Sequence, residues 1–379
     1  MRIAALSGLL SLLLLGCAPA PLMEIQRPLL DREPMVRVLL KAASAKASVR
    51  VTASDGIEVD TGATRFRTQS PVGLSLREGL LDVAGNGARA ARVVLRPLGS
   101  PLNVEGRAYA GELWIDAAAT VRVVNHVPLE LYTLGVLRGE LPLPRIPPAA
   151  AGAQAIAVRS YALHYLAQRG AASDLDDTTT FQVYAGLQAA PDDANLQAGI
   201  VATRALYLAF DGKPLKAYFH STCGGHTTDP KTAMNRDLLA PLRGVPCDSC
   251  RASRYWRWEA TIPDAAILKA AGMSAPLRGF AVGDRAQGGR ASTFVVTAKE
   301  GTRTFHAGEF RIRLGASFLR STLLFSVERV GEGWGISGGG WGHGVGLCQL
   351  GAIGRATQGR SATEIVRAYY PGATVERAY

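Results

Sequence analysis

The segment from Gly338 to Ala352 reads Gly-Gly-Gly-Trp-Gly-His-Gly-Val-Gly-Leu-Cys-Gln-Leu-Gly-Ala and surrounds a single histidine with glycine residues. Glycine destabilises the interiors of helices and strands, so this run indicates tight turns or a close approach of the backbone to another group. A histidine in such a run is positioned by the backbone, and its ordinary pKa lies near physiological pH. His343 is therefore a candidate functional residue, although a glycine-rich turn would show the same pattern.

Cys348 lies five residues after His343 in the same segment. A thiol close to an imidazole could act as a nucleophile. Five residues of glycine-rich chain do not establish hydrogen-bond geometry between the two side chains, and a free cysteine often packs as a small buried apolar residue. We favour the buried residue over the nucleophile.

Glu140 is a candidate acid that lies between a predicted short helix and a run containing Pro142, Pro144, Pro147 and Pro148. A rigid, apolar loop would partly desolvate the carboxyl group and raise its pKa toward the range useful for general acid catalysis. Two considerations oppose this interpretation. Most glutamates beside loops are solvated, and the neighbouring Arg138 would tend to keep the carboxyl ionised.

A candidate metal site combines His220 and Cys223 with Cys247 and Cys250, which form a C-x2-C pair. Two closely spaced pairs of this kind are typical of tetrahedral Zn²⁺, and four protein ligands would make the site structural. The alternatives are His226 in place of His220, and a disulfide in an oxidising compartment. Since the three cysteines would leave one thiol unpaired, we favour zinc, which would hold the loop from 219 to 251 against the core.

The N-terminus is typical of an export signal. A positive start and the apolar run Leu9 to Leu15 precede Gly16-Cys17, and the run is too short to span a bilayer comfortably. Residues 1–17 are therefore predicted to be a lipoprotein signal peptide with Cys17 as the lipidation site, and an ordinary secretory signal is the alternative. Residues 18–34, which are rich in proline, are predicted to be a tether.

The composition is that of a globular protein, with 47% hydrophobic and 19% charged residues. The net charge of +11 favours an acidic polymer or surface as partner. We do not expect nucleic acid, because an exported protein rarely meets it and the chain has no basic helix with interleaved aromatic residues. Cell-wall glycan, with its acidic lactyl and peptide groups, fits better.

The distribution of elements predicts an α+β fold with a mixed, β-rich character. Residues 35–110 are predicted to be a β-rich N-terminal part, and residues 111–379 to form a second, mixed domain that contains most of the helices. Predicted strands cover 36–40, 48–52, 91–95 and 120–125. One predicted helix begins within 127–130. Three others cover 149–169, 191–203 and 361–370. The stretch from about 259 to 329 is expected to mix strands and short helices.

Several motifs occur in the order found in one known family. They are Asn125 to Val136, Glu140-Leu141-Pro142, Gln154 to Ala162, Gln182 to Gly186, Ala217 to Thr227, the glycine-rich segment, and Tyr369 to Gly372. Together they resemble the sporulation stage II protein D (SpoIID)/LytB family. Since the motifs are separate and occur in the right order over most of the chain, the resemblance is far more specific than any single motif.

The resemblance implies a lytic transglycosylase that cleaves the MurNAc–GlcNAc linkage of peptidoglycan. In such an enzyme the 6-hydroxyl of MurNAc attacks the anomeric carbon, so that one carboxyl group suffices where ordinary glycosidases use two. Glu140 matches the family's catalytic glutamate, and His343 would position substrate or stabilise the transition state. Gly342, Gly344 and Gln349 would bind substrate. Arg159 and Tyr161 would also face it, although packing and salt-bridge roles suit them equally. Some relatives are described as carrying zinc at this place. The resemblance thus implies the same zinc site that the cysteine count favours.

Two further functions remain open from the sequence. The chain could be a non-catalytic, glycan-binding lipoprotein that enhances an N-acetylmuramoyl-L-alanine amidase, as LytB-type relatives do, or a zinc hydrolase. The expected partners are glycan strands, intact or stripped of peptide, a membrane reached through the lipid anchor, and a cell-wall amidase. In a diderm host we expect a lipoprotein of the periplasm or outer membrane, because Ala18 is not the aspartate that retains lipoproteins at the inner membrane.

Overall fold

The computed structural model describes residues 28–69, 71–168 and 173–379. The predicted signal peptide with Cys17, and the tether as far as residue 27, lie outside these residues and stay predictions. Within the described ranges, no helix combines the length and apolar character needed to cross a membrane. These ranges contain helices and several sheets of mainly antiparallel strands, which confirms the predicted α+β class.

Two mainly antiparallel sheets form the N-terminal part. The first contains β1 (Met35–Leu39), β3 (Ile57–Asp60), β4 (Arg65–Thr68), β8 (Arg92–Pro97), β11 (Glu112–Ala117), β12 (Val121–Pro128) and β13 (Leu175–Asp176), in the order β13-β1-β12-β11-β8-β3-β4. The second contains β2 (Ser48–Thr52), β5 (Val72–Arg77), β6 (Leu80–Val83), β7 (Arg89–Ala90), β9 (Leu102–Val104) and β10 (Arg107–Tyr109), in the order β10-β9-β2-β5-β6-β7. A short helix, α1 (Lys41–Ser44), follows β1.

The strands form where buried and more exposed side chains alternate. In β8, Val93 and Leu95 are fully buried, and in the adjacent β11 Leu113 and Ile115 are buried in the same way. Alternate residues of a strand point to the same face, so these side chains build one apolar surface. The strands predicted near 36–40, 48–52, 91–95 and 120–125 are all present.

Helix α3 (Pro148–Leu166) lies at the centre of the larger core. Around it pack α2 (Leu129–Glu140), α4 (Asp193–Ala202), α8 (Gln349–Thr357), α9 (Ala362–Tyr369) and the strand β14 (Leu206–Phe210). The sheet of β14 also contains β15 (Lys213–Pro214) and β24 (Thr374–Arg377), and the parallel pair β16 (Phe219–His220) and β23 (Leu347–Cys348) lies separately. The helices predicted at 149–169, 191–203 and 361–370 are confirmed, and the predicted helix start at 127–130 falls at Leu129, because Val127 and Pro128 still belong to β12.

Residues 258–339, which we call the second lobe, have a hydrophobic core of their own. Its elements are β17 (Trp258–Pro263), α6 (Asp264–Ala271), β18 (Gly279–Val282), β19 (Thr293–Ala298), β20 (Gly301–His306), α7 (Ala307–Leu314), β21 (Leu323–Val330) and β22 (Gly333–Gly339). The rings of Phe280, Phe294 and Phe310 are fully buried at its centre. The predicted mixture of strands and short helices is confirmed, whereas the separate core was not predicted. The helix α5 (Pro230–Met234) packs against α7.

The contact between α3 and α4 depends on two glycines. A Cβ atom at Gly199 would lie 2.6 Å from the backbone nitrogen of Gly152 and 2.6 Å from the carbonyl oxygen of Pro148. Neither backbone atom can move without displacing α3. The absence of a side chain at Gly199 therefore sets how closely the two helices approach.

We predict that Gly199→Ala lowers the free energy of unfolding by roughly 1 to 3 kcal/mol, because the added methyl group overpacks a helix contact. Val201→Ala on the same helix is the control, since Val201 is 76% exposed and surface changes of this kind usually have little effect. Thermal unfolding followed by circular dichroism measures both variants. An equal melting temperature for Gly199→Ala and wild type would show that the helices are not packed this closely.

Candidate functional site

A cleft of about 1140 Å³ lies between the larger core and the second lobe. Glu140, Tyr161, Gln349 and His343 line one part of it, and residues of α7 in the second lobe line the opposite part. The structure thus brings together residues that are up to 209 positions apart in the chain, since the Gln349 side chain reaches the Glu140 backbone.

Glu140 is the last residue of α2, and its half-buried carboxyl group faces the cleft. One carboxyl oxygen accepts a hydrogen bond from the backbone N–H of Val183 at 2.8 Å. This hydrogen bond favours the ionised form and lowers the pKa. Burial has the larger effect, so the pKa of Glu140 is raised. Among the described residues that line the cleft, Glu140 is the only carboxylic acid.

Arg138 does not hold Glu140 in its ionised form, contrary to the concern raised by the sequence. Its guanidinium binds both carboxylate oxygens of Asp193, with distances of 2.6 Å and 2.8 Å. This bidentate contact lowers the pKa of Asp193 to about 2. The positive charge of Arg138 is thus neutralised by Asp193 of α4. Burial therefore determines the direction of the Glu140 pKa shift.

The glycine-rich segment packs backbone to backbone against residues 218–223. A Cβ atom at Gly346 would lie 2.0 Å from the carbonyl oxygen of Tyr218, and one at Gly340 would lie 2.6 Å from that of Thr222. Both glycines also have positive φ, at 68° and 82° respectively, a region that other residues rarely adopt. The close backbone approach predicted from the sequence is therefore present.

His343 lines the cleft with a half-buried imidazole ring. Its Nδ1 accepts the backbone N–H of Val345 at 3.0 Å, so in the neutral ring the proton is on Nε2. Burial, together with the positive charge of Arg311, lowers the pKa of His343 to about 4. The ring is therefore neutral near physiological pH and can act as a polar contact for substrate rather than as a cationic acid.

Gln349, Tyr161 and Gly342 also line the cleft, where the sequence predicted substrate contacts. The Gln349 amide donates to the backbone oxygen of Glu140 at 3.3 Å and connects the start of α8 to the end of α2. The Tyr161 ring packs against Tyr165 and Tyr218. The sequence predicted that Gly342 binds substrate. Its backbone N–H, however, donates to the Arg320 carbonyl at 3.0 Å.

Arg159 and Gly344 are not among the described residues that line the cleft, so the structure offers no support for their predicted substrate contacts. Arg159 is fully buried in α3, where its guanidinium binds the Glu130 carboxylate at 2.6 Å and the carbonyl of Thr203 at 2.8 Å. The salt-bridge role that the sequence left open is the one observed. Gly344 packs on the guanidinium of Arg290, which a Cβ atom would approach to 2.6 Å.

Cys223, Cys247, Cys250 and Cys348 form a buried cluster, and their sulfur atoms lie within 4.8 Å of one another. The sulfurs of Cys223 and Cys250 are 3.4 Å apart, and all four cysteines are free. A disulfide needs about 2.05 Å, whereas a tetrahedral site with metal–sulfur bonds of about 2.3 Å places its sulfurs about 3.8 Å apart. The cluster therefore has the donor set and the spacing of a metal site.

Cys348 takes the fourth position that the sequence assigned to His220. The two residues are register partners in the parallel pair β16–β23, and it is the thiol that joins the cluster. The His220 ring donates from Nδ1 to the Val345 carbonyl at 3.1 Å and lies 5.5 Å from the His343 ring. His226 contacts the backbone of Thr227 and is also outside the cluster. Cys348 does not line the cleft, so its position offers no support for a nucleophile.

A buried cation lies beside the four thiols. Arg290 is fully buried, donates to the Cys223 carbonyl at 2.8 Å, and has no hydrogen-bond partner for Nε or Nη1 among the described residues. An isolated buried charge is unfavourable unless an opposite charge lies nearby. Four thiolates with one divalent metal carry a net charge of −2, which Arg290 would partly compensate. The orphaned arginine thus fits a metal-loaded cluster.

Arg311 is a cleft residue that sequence reasoning missed. It lies on α7 of the second lobe, donates from Nε and Nη2 to the Arg320 carbonyl at 3.1 Å and 2.9 Å, and makes no ion pair with any described carboxylate. No motif marks it, because the surrounding residues 307–314 read as an ordinary short helix. Arg311 lines the cleft because the second lobe packs beside the glycine-rich segment.

Comparison with known proteins gives independent information. A family model described as stage II sporulation protein (SpoIID) matches residues 117–210, and a model described as a domain of unknown function (DUF8618) matches residues 249–346. The first region contains Glu140, and the second contains the second lobe and His343.

Whole-chain comparisons extend over more of the molecule. An uncharacterised protein of Brachyspira hyodysenteriae is 30% identical over 275 residues, which cover 70% of this chain and 72% of that protein. Stage II sporulation protein D of Bacillus amyloliquefaciens is 29% identical over 272 residues, covering 67% and 76%. The amidase enhancer of Bacillus subtilis is 27% identical over 272 residues, which cover 59% of this chain and 37% of the enhancer. With its ordered motifs and this extent of similarity, the chain belongs to the SpoIID/LytB family.

Proposed function

We propose that this protein is a lytic transglycosylase that cleaves MurNAc–GlcNAc linkages in peptidoglycan glycan strands and leaves 1,6-anhydro-MurNAc ends. Membership of the family supports a function at the cell wall. The observation that carries the finer proposal is a large cleft in which Glu140 is the single carboxylic acid among the described lining residues, with a pKa raised by burial. Hydrolysis by ordinary glycosidases uses two carboxyl groups, whereas intramolecular attack needs one.

In this mechanism the protonated Glu140 donates its proton to the glycosidic oxygen as the bond from that oxygen to the MurNAc anomeric carbon breaks. The 6-hydroxyl oxygen of the same MurNAc forms the new bond to this carbon. The Glu140 carboxylate then accepts the hydroxyl proton, which restores the acid. No water is consumed, and the proton lost in the first step is regained in the second.

The other cleft residues fit a glycan substrate. The neutral His343 imidazole and the Tyr161 ring offer polar and aromatic contacts to a sugar. Arg311, without an acidic partner among the described residues, provides a positive charge for the acidic groups of the strand. We further propose that the protein acts outside the cytoplasm as a lipoprotein anchored at Cys17.

The similarity to an amidase enhancer favours a second candidate function. In that case the cleft binds glycan strands without cutting them, and the protein increases the activity of a cell-wall amidase. The two functions differ in whether anhydro-MurNAc ends form when purified strands are the sole substrate.

We predict that Glu140→Gln reduces the formation of anhydro-MurNAc ends by more than about 100-fold, because the amide cannot transfer a proton. Purified glycan strands are incubated with each protein, and the products are analysed by liquid chromatography and mass spectrometry. Glu332→Gln, a change of the same kind at an exposed position, should retain activity. Equal yields from Glu140→Gln and wild type would exclude Glu140 as the acid, and binding without products in wild type would favour the enhancer.

The raised pKa of Glu140 also predicts a pH-dependent stability. A carboxyl group whose pKa is higher in the folded state destabilises that state when ionised. The penalty is absent well below the unfolded pKa of about 4.3, grows as the pH rises from that value to the higher folded one, and is constant above it. We therefore expect Glu140→Gln to melt at a higher temperature than wild type near neutral pH. The difference should disappear near pH 4, and the control Glu332→Gln should show no such trend. A constant difference at all pH values would contradict the desolvation of Glu140.

We also propose that the four-cysteine cluster holds one structural Zn²⁺. Cys223, Cys247, Cys250 and Cys348 would be its ligands, and the ion would tie the loop 219–251 to the start of α8. Four thiolates are a typical closed zinc site, and such sites contribute directly to folding. The ion is not assigned a part in the reaction.

We predict that the purified chain contains about one zinc ion per molecule, and that Cys348→Ser loses most of it and melts at a markedly lower temperature. His220→Ala should retain the metal, since the structure leaves its ring outside the cluster. Elemental analysis by mass spectrometry and thermal unfolding measure the two properties. Zinc retained by Cys348→Ser but lost from His220→Ala would restore the ligand set predicted from the sequence.

A further inference from the structure

A second hollow, of about 670 Å³, adjoins the cleft on the side of the second lobe. The two share the residues Arg254, Tyr255 and Trp341, so a ligand in the cleft can continue into the hollow without leaving the surface. Its remaining wall is formed mainly by Arg257, Trp258, Glu259 and Arg320. A polymer longer than the cleft would therefore reach this hollow first on that side.

An aromatic platform separates the hollow from the cleft. The ring centroids of Tyr255 and Trp341 are 4.3 Å apart. The backbone of Trp341 pairs with Thr222 through hydrogen bonds of 2.8 Å and 3.1 Å, and the N–H of Gly340 donates to the Tyr255 carbonyl at 2.7 Å. The platform is therefore held by the same glycine-rich segment that presents His343. The planes of the two rings are inclined at 47°, and both side chains are half-buried. Their accessible parts can pack against the apolar face of a sugar ring.

The hollow carries an excess of positive charge. Arg254, Arg257 and Arg320 line it together with one carboxylic acid, Glu259. Arg257 and Arg320 donate to backbone carbonyls, each at 3.0 Å. Arg254 lies over the Tyr255 ring at 4.7 Å and makes no ion pair with a described carboxylate. An arginine held over an aromatic ring with its donors unused is well suited to bind a carboxylate.

We propose that this hollow is a distal subsite of the glycan cleft, which binds a further N-acetylated sugar whose substituent carries a carboxylate. Tyr255 and Trp341 contact the face of the ring, and Arg254 binds the carboxylate. In a glycan strand that group is either the lactyl carboxylate of a peptide-free MurNAc or a carboxylate of the stem peptide. The proposal rests on the proposed function, since it assigns another part of the same strand to the hollow beside the cleft.

The test measures binding in the full chain carrying Glu140→Gln, so that strands are not cut during titration. Three soluble strand preparations of equal length are used: peptide-free strands, peptide-bearing strands, and peptide-free strands whose lactyl carboxyls are converted to neutral methylamides. Isothermal titration calorimetry gives the affinity for each. Adding Arg254→Gln should weaken binding of at least one charged strand by about tenfold, the effect of one charge-assisted hydrogen bond, and should leave binding of the neutral strand unchanged. Tyr255→Ala should weaken binding of all three.

Arg329→Gln is the matched control, because Arg329 also lies over an aromatic ring of the second lobe, Trp334, at 5.5 Å but lines neither hollow nor cleft. Weaker binding of the peptide-free strand would identify the lactyl group as the carboxylate, and an effect confined to the peptide-bearing strand would identify the stem peptide. Unchanged affinities in Arg254→Gln, or equal losses for charged and neutral strands, would overturn the subsite alone. Failure of every strand to bind Glu140→Gln would instead overturn the proposed substrate.

Discussion

The close approach of the glycine-rich segment to residues 218–223 is the contact on which the rest of the site depends. At Gly340 and Gly346 there is no room for a Cβ atom, so backbone meets backbone. The chain that continues past this contact delivers His343 to the cleft, Cys348 to the thiol cluster and Gln349 to the end of α2. Glycine lowers stability in the interiors of helices and strands. Here it permits a close backbone contact, through which one short segment joins the cleft, the cluster and the second lobe.

Charge is distributed unevenly across the cleft. On the side of the larger core, Glu140 is removed from water, and the nearby Arg138 is neutralised by Asp193. Arg311 of the second lobe and Arg254, just before that lobe in the chain, line the cleft and lack acidic partners among the described residues. A carboxyl group with a raised pKa on one wall and cations on the other suit the binding of an anionic polymer. The excess of basic residues in the whole chain is consistent with this arrangement.

Much of the fold could be predicted from local sequence. Alternating apolar residues marked β8 and β12, and Ser361 with Glu364 forms the capping box that begins α9. The cysteine spacing brought Cys223, Cys247 and Cys250 together, as observed. What could not be predicted depends on pairing across long separations. Nothing local shows that Cys348 joins the cluster, that Arg159 is neutralised by Glu130, or that the second lobe packs its own core, since each depends on contacts between segments far apart in the chain.

In the proposed mechanism, one carboxyl group cleaves the strand without water. Digestion of glycan strands in water enriched in ¹⁸O, followed by mass spectrometry of the fragments, tests it directly. The mechanism through Glu140 predicts anhydro-MurNAc ends that contain no ¹⁸O, because the 6-hydroxyl oxygen of the substrate makes the new bond. Reducing ends in which the anomeric oxygen is labelled with ¹⁸O at the moment of cleavage would contradict it and would require a hydrolytic mechanism with a second base.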